Sequence, residues 1–264
     1  MKRIVGHRMP LTALERNQKK GESTMVVQRH AGPSLLALTI AYLVMLVVGG
    51  SKVSAAFHVP HVSAAAVAFV AQNNSAIRWG SFVELASAIP LGIFMAVVIS
   101  RLRFLGIRAA GEQIAALGGI ATPMMLAGSA MATWSLTRPG VAAAPGAVET
   151  LQSLGFDGGG PGFAVFLGLF LAGVSVSAGM SKLIPGWLMW LGIVAAAAGE
   201  LSSFTLVNFT AGYLIPVARY LSILWMFGLA LKLPTTPPLR ETDDLGPAGG
   251  VKTWTGTPRE FIQP

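Results

Sequence analysis

The chain has 264 residues, of which 53% are hydrophobic and only 11% charged, and its mean hydropathy is +0.63. Soluble domains carry about 25% charged residues, so the composition points to a lipid-facing protein. The absence of cysteine excludes disulfides, thiolate zinc sites and cysteine nucleophiles, and the net charge of +8 falls at the edges of apolar runs, where basic residues mark topology and not nucleic-acid contact.

Residues 1–33 read as a basic cytoplasmic tail. The first thirty residues carry seven Lys or Arg against two Glu, with no apolar run resembling a signal-peptide core. Such a cluster favours anionic lipid, and Met9 and Met25 are alternative starts. Residues 34–232 read as the transmembrane domain. Its first span is expected from about Ser34 to Val48, with Gly49 and Gly50 closing it. The stretch after Lys52 is too polar and broken for a span; a short interfacial helix on the outer face is expected from Ser63 to Gln72, stopped by Asn73 and Asn74.

The second span runs from Ile77 to Ser100, contains Glu84 and is interrupted by Pro90, which frees a backbone carbonyl. Arg101, Arg103 and Arg108 follow within eight residues and mark the cytoplasmic side. The third span, Ile114 to Leu136, holds Pro123 and the small residues Gly118, Gly119 and Gly128. The Gly- and Pro-rich segment 137–162 is expected to be an outer loop. Span four is Phe163 to Met180, span five Trp187 to about Phe209 and span six Tyr213 to Leu231. Residues 233–264 read as a flexible cytoplasmic tail. On this topology fifteen of the 19 Lys and Arg residues lie inside, against Lys52, Arg78 and Arg138 outside, which orients both termini to the cytoplasm.

Glu84, Glu200 and Arg219 fall within the spans. An ionised group at bilayer depth is costly unless it faces protein or water and finds a partner. Counted at roughly 1.5 Å per residue, all three lie roughly 9 to 14 Å below the outer boundary, so they share a layer if spans two, five and six are neighbours. Ser203 and Ser222, each three residues after one of these charges, share its helix face and complete a candidate substrate or proton site. The opposing reading is a Glu200–Arg219 pair that only fixes the register of a helical hairpin.

His58 and His61 are spaced for a shared ligand, but two histidines without a nearby acid are usually surface residues, and no metal site is assigned. Met124, Met125 and Met131 read as packing, and Glu112 as a carboxylate at a positive helix end. No histidine occurs in a span, which leaves a bis-histidine haem and a Ser-His hydrolase without a partner. Ser129 has no visible base. Neither a phosphate-binding loop nor HExxH occurs, so neither a cofactor nor a catalytic constellation is assigned.

IRWGSFVELASAIPLGIFMAVVISRLRF resembles the second span and basic loop, and SKLIPGWLMWLGIVAAAAGELSSF the re-entry and fifth span, of a domain-of-unknown-function family of bacterial six-helix integral membrane proteins. In that family a Leu-Val/Ile-Pro-x-Trp-Leu stretch commonly opens a late span, as Leu183 to Leu188 does here. An acidic residue commonly occupies the second span, as Glu84 does. The resemblance covers about residues 34–232 and implies a bacterial inner-membrane location and six helices, but no activity. The expectation is therefore an all-α bundle of six transmembrane helices with one short outer helix. The expected function is that of a small-molecule or ion transporter with a polar intramembrane site, the alternative being a non-transporting component with a sensing, assembly or lipid-packing role.

Overall fold

A computed structural model describes residues 30–53, 64–141 and 144–236. The tail before residue 30, His58, His61, Ser63 and the tail beyond residue 236 lie outside the described residues. The described residues form helices α1 (Leu35–Val53), α2 (Ala64–Gln72), α3 (Asn74–Phe104), α4 (Ala110–Ser135), α5 (Pro145–Asp157), α6 (Phe163–Met180), α7 (Gly186–Leu201) and α8 (Leu214–Lys232), and no strand.

A π-helical turn, Gly158–Gly162, joins α5 to α6 without a break, and 3-10 turns, Ser202–Leu206 and Phe209–Tyr213, form the α7–α8 corner. Five stretches are long and apolar enough to cross a membrane: Asn74–Phe104, Ala110–Ser135, Pro145–Met180, Gly186–Leu206 and Phe209–Lys232. The apolar stretch of α1, Leu35–Gly49, is shorter. This is the build of a multi-pass membrane protein. The surface agrees: Ile89, Leu117, Ile120, Met124, Trp190, Leu224 and Leu231 are each more than half exposed, an apolar belt that a soluble monomer rarely shows.

The segment 137–162 corrects the expectation of a loop. Pro145 begins a helix, where a missing N–H costs nothing, and the helix persists through Gly158, Gly159, Gly160, Pro161 and Gly162 by widening into the π turn. The combined 36-residue helix is about 54 Å long at about 1.5 Å per residue, well beyond the ~30 Å hydrocarbon core. Its first half packs with α2 and the α3 and α4 ends around Val70, Ile77, Leu136 and Val148. The Asn74 side-chain amide donates to Thr137 O at that end.

The long helices form a ring in which α1 packs on α3, α3 on α4, α4 on α6, α6 on α7, α7 on α8, and α8 back on α1. Without a hydrophobic drive between helices in lipid, close backbone approach supplies the attraction. At the α4–α6 crossing a Cβ on Gly118 would stand 2.5 Å from Phe166 O and Phe170 N, and one on Gly173 would stand 2.7 Å from Ala115 N. Phe170 meets Trp225 edge-on across the middle of the ring, and Trp225 is fully buried. The two ends of the domain meet: His30 N donates to Thr235 O, and its ring contacts Ser100 and Phe104 at the end of α3. Nearby, buried Arg101 reaches Leu233 O.

Candidate functional site

Opposite that end, helices α1, α3, α4, α5, the π turn and α8 converge on a cavity of about 460 Å³. Glu84 and Arg219 both line it, with Tyr42, Ser129, Gln152 and Tyr220 among the other polar groups. Ten residues separate Asn74 from Glu84, so the carboxylate stands about 15 Å along α3, inside the apolar stretch.

The π turn builds one wall. In a regular helix Phe163 N–H would bond to Gly159 O; here it bonds to Gly158 O and Gly160 O, and Arg219 Nη2 donates to Gly159 O at 2.5 Å. Pro161, which has no N–H to give, sits within this turn, and π turns of this kind recur at functional sites. The Arg219 guanidinium lies 4.6 Å over the Phe163 ring, a cation–π contact. Its Nε is buried and has no partner among the described residues.

The facing wall is α4. Ser129 Oγ is 2.9 Å from Glu84 Oε1 and 2.8 Å from Gly155 O. A Cβ on Gly159 would stand 2.5 Å from Ser129 Oγ and 3.4 Å from Glu84 Oε1, so a glycine is what allows the π turn to close over this pair.

No family model, curated protein or solved structure matches this chain. The site is therefore read from its own geometry.

Of the residues singled out in the sequence, the structure gathers Glu84 and Arg219 on the cavity and places Glu200, Ser203 and Ser222 elsewhere. Glu200 Oε1 faces Gly168 across the α6–α7 seam, where a Cβ would stand 2.9 Å from it, and it has no partner among the described residues. Ser203 Oγ donates to Glu200 O and Ser222 Oγ to Arg219 O. Both hydroxyls are used on their own helices. The shared-layer premise required spans two, five and six to be neighbours. In the ring, α3 packs chiefly on α1 and α4, so depth agreement does not bring Glu200 to Glu84. A Glu200–Arg219 pair is not formed either; the ion pair among the described residues is Arg103–Glu112, at 2.7 Å. Glu112 is thus more than a helix-end charge: it is 2% exposed and also accepts from Gln113.

Sequence reasoning passed over Ser129 for lack of a base, yet Glu84, forty-five residues away, is its neighbour. It also passed over Tyr42, Gln152, Gly155 and Gly159. The one available signal was GGGPG itself, too apolar a context for an ordinary outer loop.

Proposed function

We propose that the protein is a six-helix transporter of the bacterial cytoplasmic membrane, moving a small polar solute or ion through the Glu84–Arg219 cavity, with both termini in the cytoplasm. One observation carries the reading: an acid and a base line the same cavity of about 460 Å³ without forming an ion pair with each other. A pair kept only for helix register would be dry and mutually bonded. These two residues instead line a space large enough for a small molecule.

Supporting it, α1 completes a six-membered ring, His30 and Thr235 join at one end, and Arg101, Arg103, Arg108, Lys182 and Lys232 border that end, as the positive-inside bias requires. The likeness of 77–104 and 181–204 to the bacterial six-helix family fits the same arrangement. The basic tail would then lie against anionic lipid on the cytoplasmic face.

The chain has no cysteine, so single cysteines report accessibility directly. Thr133→Cys and Gln152→Cys should react with a membrane-impermeant thiol reagent from one side, and in proteoliposomes the wild type should show pH-dependent flux that Glu84→Gln abolishes. Unreactive cysteines together with no flux in the wild type would leave the non-transporting role standing, and flux of unchanged pH dependence in Glu84→Gln would take Glu84 out of the transport site.

A further inference from the structure

The hydrogen bonds around Ser129, and an Arg219 that has no acidic partner among the described residues, carry a substrate class. We propose that the cavity binds a small anion against Arg219 while Glu84 carries a proton, so that anion and proton travel together; this rests on the transport reading above.

A serine hydroxyl has one proton to donate. Ser129 Oγ is within bonding distance of two oxygens, Glu84 Oε1 at 2.9 Å and Gly155 O at 2.8 Å. A peptide carbonyl only accepts. With Glu84 ionised the two oxygens must share that one proton; both contacts are full two-centre hydrogen bonds at once only when Glu84 holds a proton and donates it to Ser129 Oγ, which donates onward to Gly155 O. When Glu84 is ionised, Ser129 turns toward the carboxylate and its bond to Gly155 O weakens. The geometry accommodates a protonated and an ionised acid with one rotation of a hydroxyl.

Arg219 remains charged in both arrangements. Ser129 from α4 bonds to Glu84, and Tyr42 from α1, Gln152 from α5, and Arg219 and Tyr220 from α8 line the cavity with it. Among the described residues that line the cavity there is no second acid. With Glu84 protonated the cavity carries one positive charge, held by a carbonyl and an aromatic face and lacking a counter-ion at a depth where that is costly. An anion restores neutrality. With Glu84 ionised, its carboxylate does so. The neutral occupancies are thus anion plus proton, or neither, and a cycle between them moves one anion and one proton in the same direction with no net charge. The proton resides on Glu84 Oε and leaves to water as the anion leaves; no bond of the solute is broken.

Benzenesulfonate is a suitable probe because it stays ionised throughout the working pH range, so any pH dependence of its binding belongs to the protein. Phenyltrimethylammonium is the cation of similar size. Equilibrium binding to the purified full chain should favour benzenesulfonate and tighten as pH is lowered. Arg219→Gln should weaken it by roughly tenfold or more, whereas Glu84→Gln, a permanent mimic of the neutral acid, should bind with an affinity that no longer varies with pH. Ser129→Ala, which keeps both charges, should retain anion binding and shift its pH midpoint, and it stands in should Glu84→Gln fail to fold. Preference for the cation, failure of benzenesulfonate and nitrate alike to bind, or anion binding by the wild type that is indifferent to pH would each overturn the proposal. Anion binding with these properties but no counterflow of labelled benzenesulfonate or nitrate in proteoliposomes would overturn transport and leave the anion site. Flux of the cation without anion binding would overturn the anion class alone.

Discussion

Arg219 is bonded to the carbonyl of Gly159, the oxygen that Phe163 N–H passes over in the π turn. A helical irregularity in one segment thus becomes the anchor for an intramembrane cation in another, sixty residues later. The same glycine lets Ser129 and Glu84 approach from the opposite side.

Gly159→Ala should therefore damage the site more than the fold. The new methyl would meet Ser129 Oγ at 2.5 Å and Ser129 Cβ at 3.1 Å, displacing the hydroxyl that links Glu84 to Gly155. An overpacking cost of about 1–3 kcal/mol is expected. Thermal unfolding in detergent should show a modest loss and anion binding a large one. An unchanged binding curve would mean that the closure of the π turn over Ser129 is irrelevant to the site.

The α4–α6 crossing predicts opposite outcomes for two glycines on one helix. At Gly118 a methyl would strike the backbone of Phe166 and Phe170, which cannot rotate away, while at Gly128 it would meet nothing within 4 Å. Gly118→Ala should destabilise by about 1–3 kcal/mol. Gly128→Ala should be neutral or stabilising by up to about 1 kcal/mol, since alanine is the better helix former. Equal melting temperatures for the two variants would count against this crossing.

Arg103→Ala should cost more than a surface pair. Arg103 is half-exposed, but its partner Glu112 is only 2% exposed and takes both Nε and Nη2 of the guanidinium at 2.7 Å. Removing the arginine leaves a buried carboxylate held by Gln113 alone, a loss of about 1–3 kcal/mol. The double variant Arg103→Ala/Glu112→Gln should recover part of it. A double-mutant cycle on thermal stability measures the coupling.

His30 predicts a pH effect at the joined ends. Burial first, and the nearby Arg101 charge second, hold its imidazole below the usual histidine range. The folded form is thus the poorer proton acceptor. The stability it contributes is present above the unfolded pKa near 6.5 and is lost as pH falls through the lower folded value. Hydrogen exchange at residues 30–36 and 231–236 should accelerate on acidification through that window, and His30→Gln should remove the acceleration. A pH-independent exchange rate in the wild type would show that the ring contact with Ser100 and Phe104 does not hold the ends.

Much of the architecture is legible in the residues themselves. Long charge-poor runs identify the apolar helices because a span must satisfy its own backbone hydrogen bonds and face lipid on its surface; both are local properties of composition and length. Glu84 and Arg219 stand out for the same reason, as charges in an apolar context. The segment around GGGPG misleads because glycine and proline ordinarily mark turns, while here a π turn absorbs the proline and packing against α4 and α8 supports the glycines. What only the tertiary structure decides is who meets whom. Depth along a helix follows from counting residues, but azimuth and neighbour order depend on close contacts such as Gly118 and Gly173 at the α4–α6 crossing. Close approach of the same kind at the α6–α7 seam, Gly199 on Ala164 and Gly168 on Ala196, leaves Glu200 at Gly168, while the packing of α4 on α3 puts Ser129, with no acid near it in the chain, beside Glu84. Long-range packing, set by shape and not by composition, selects which of the intramembrane charges share a cavity.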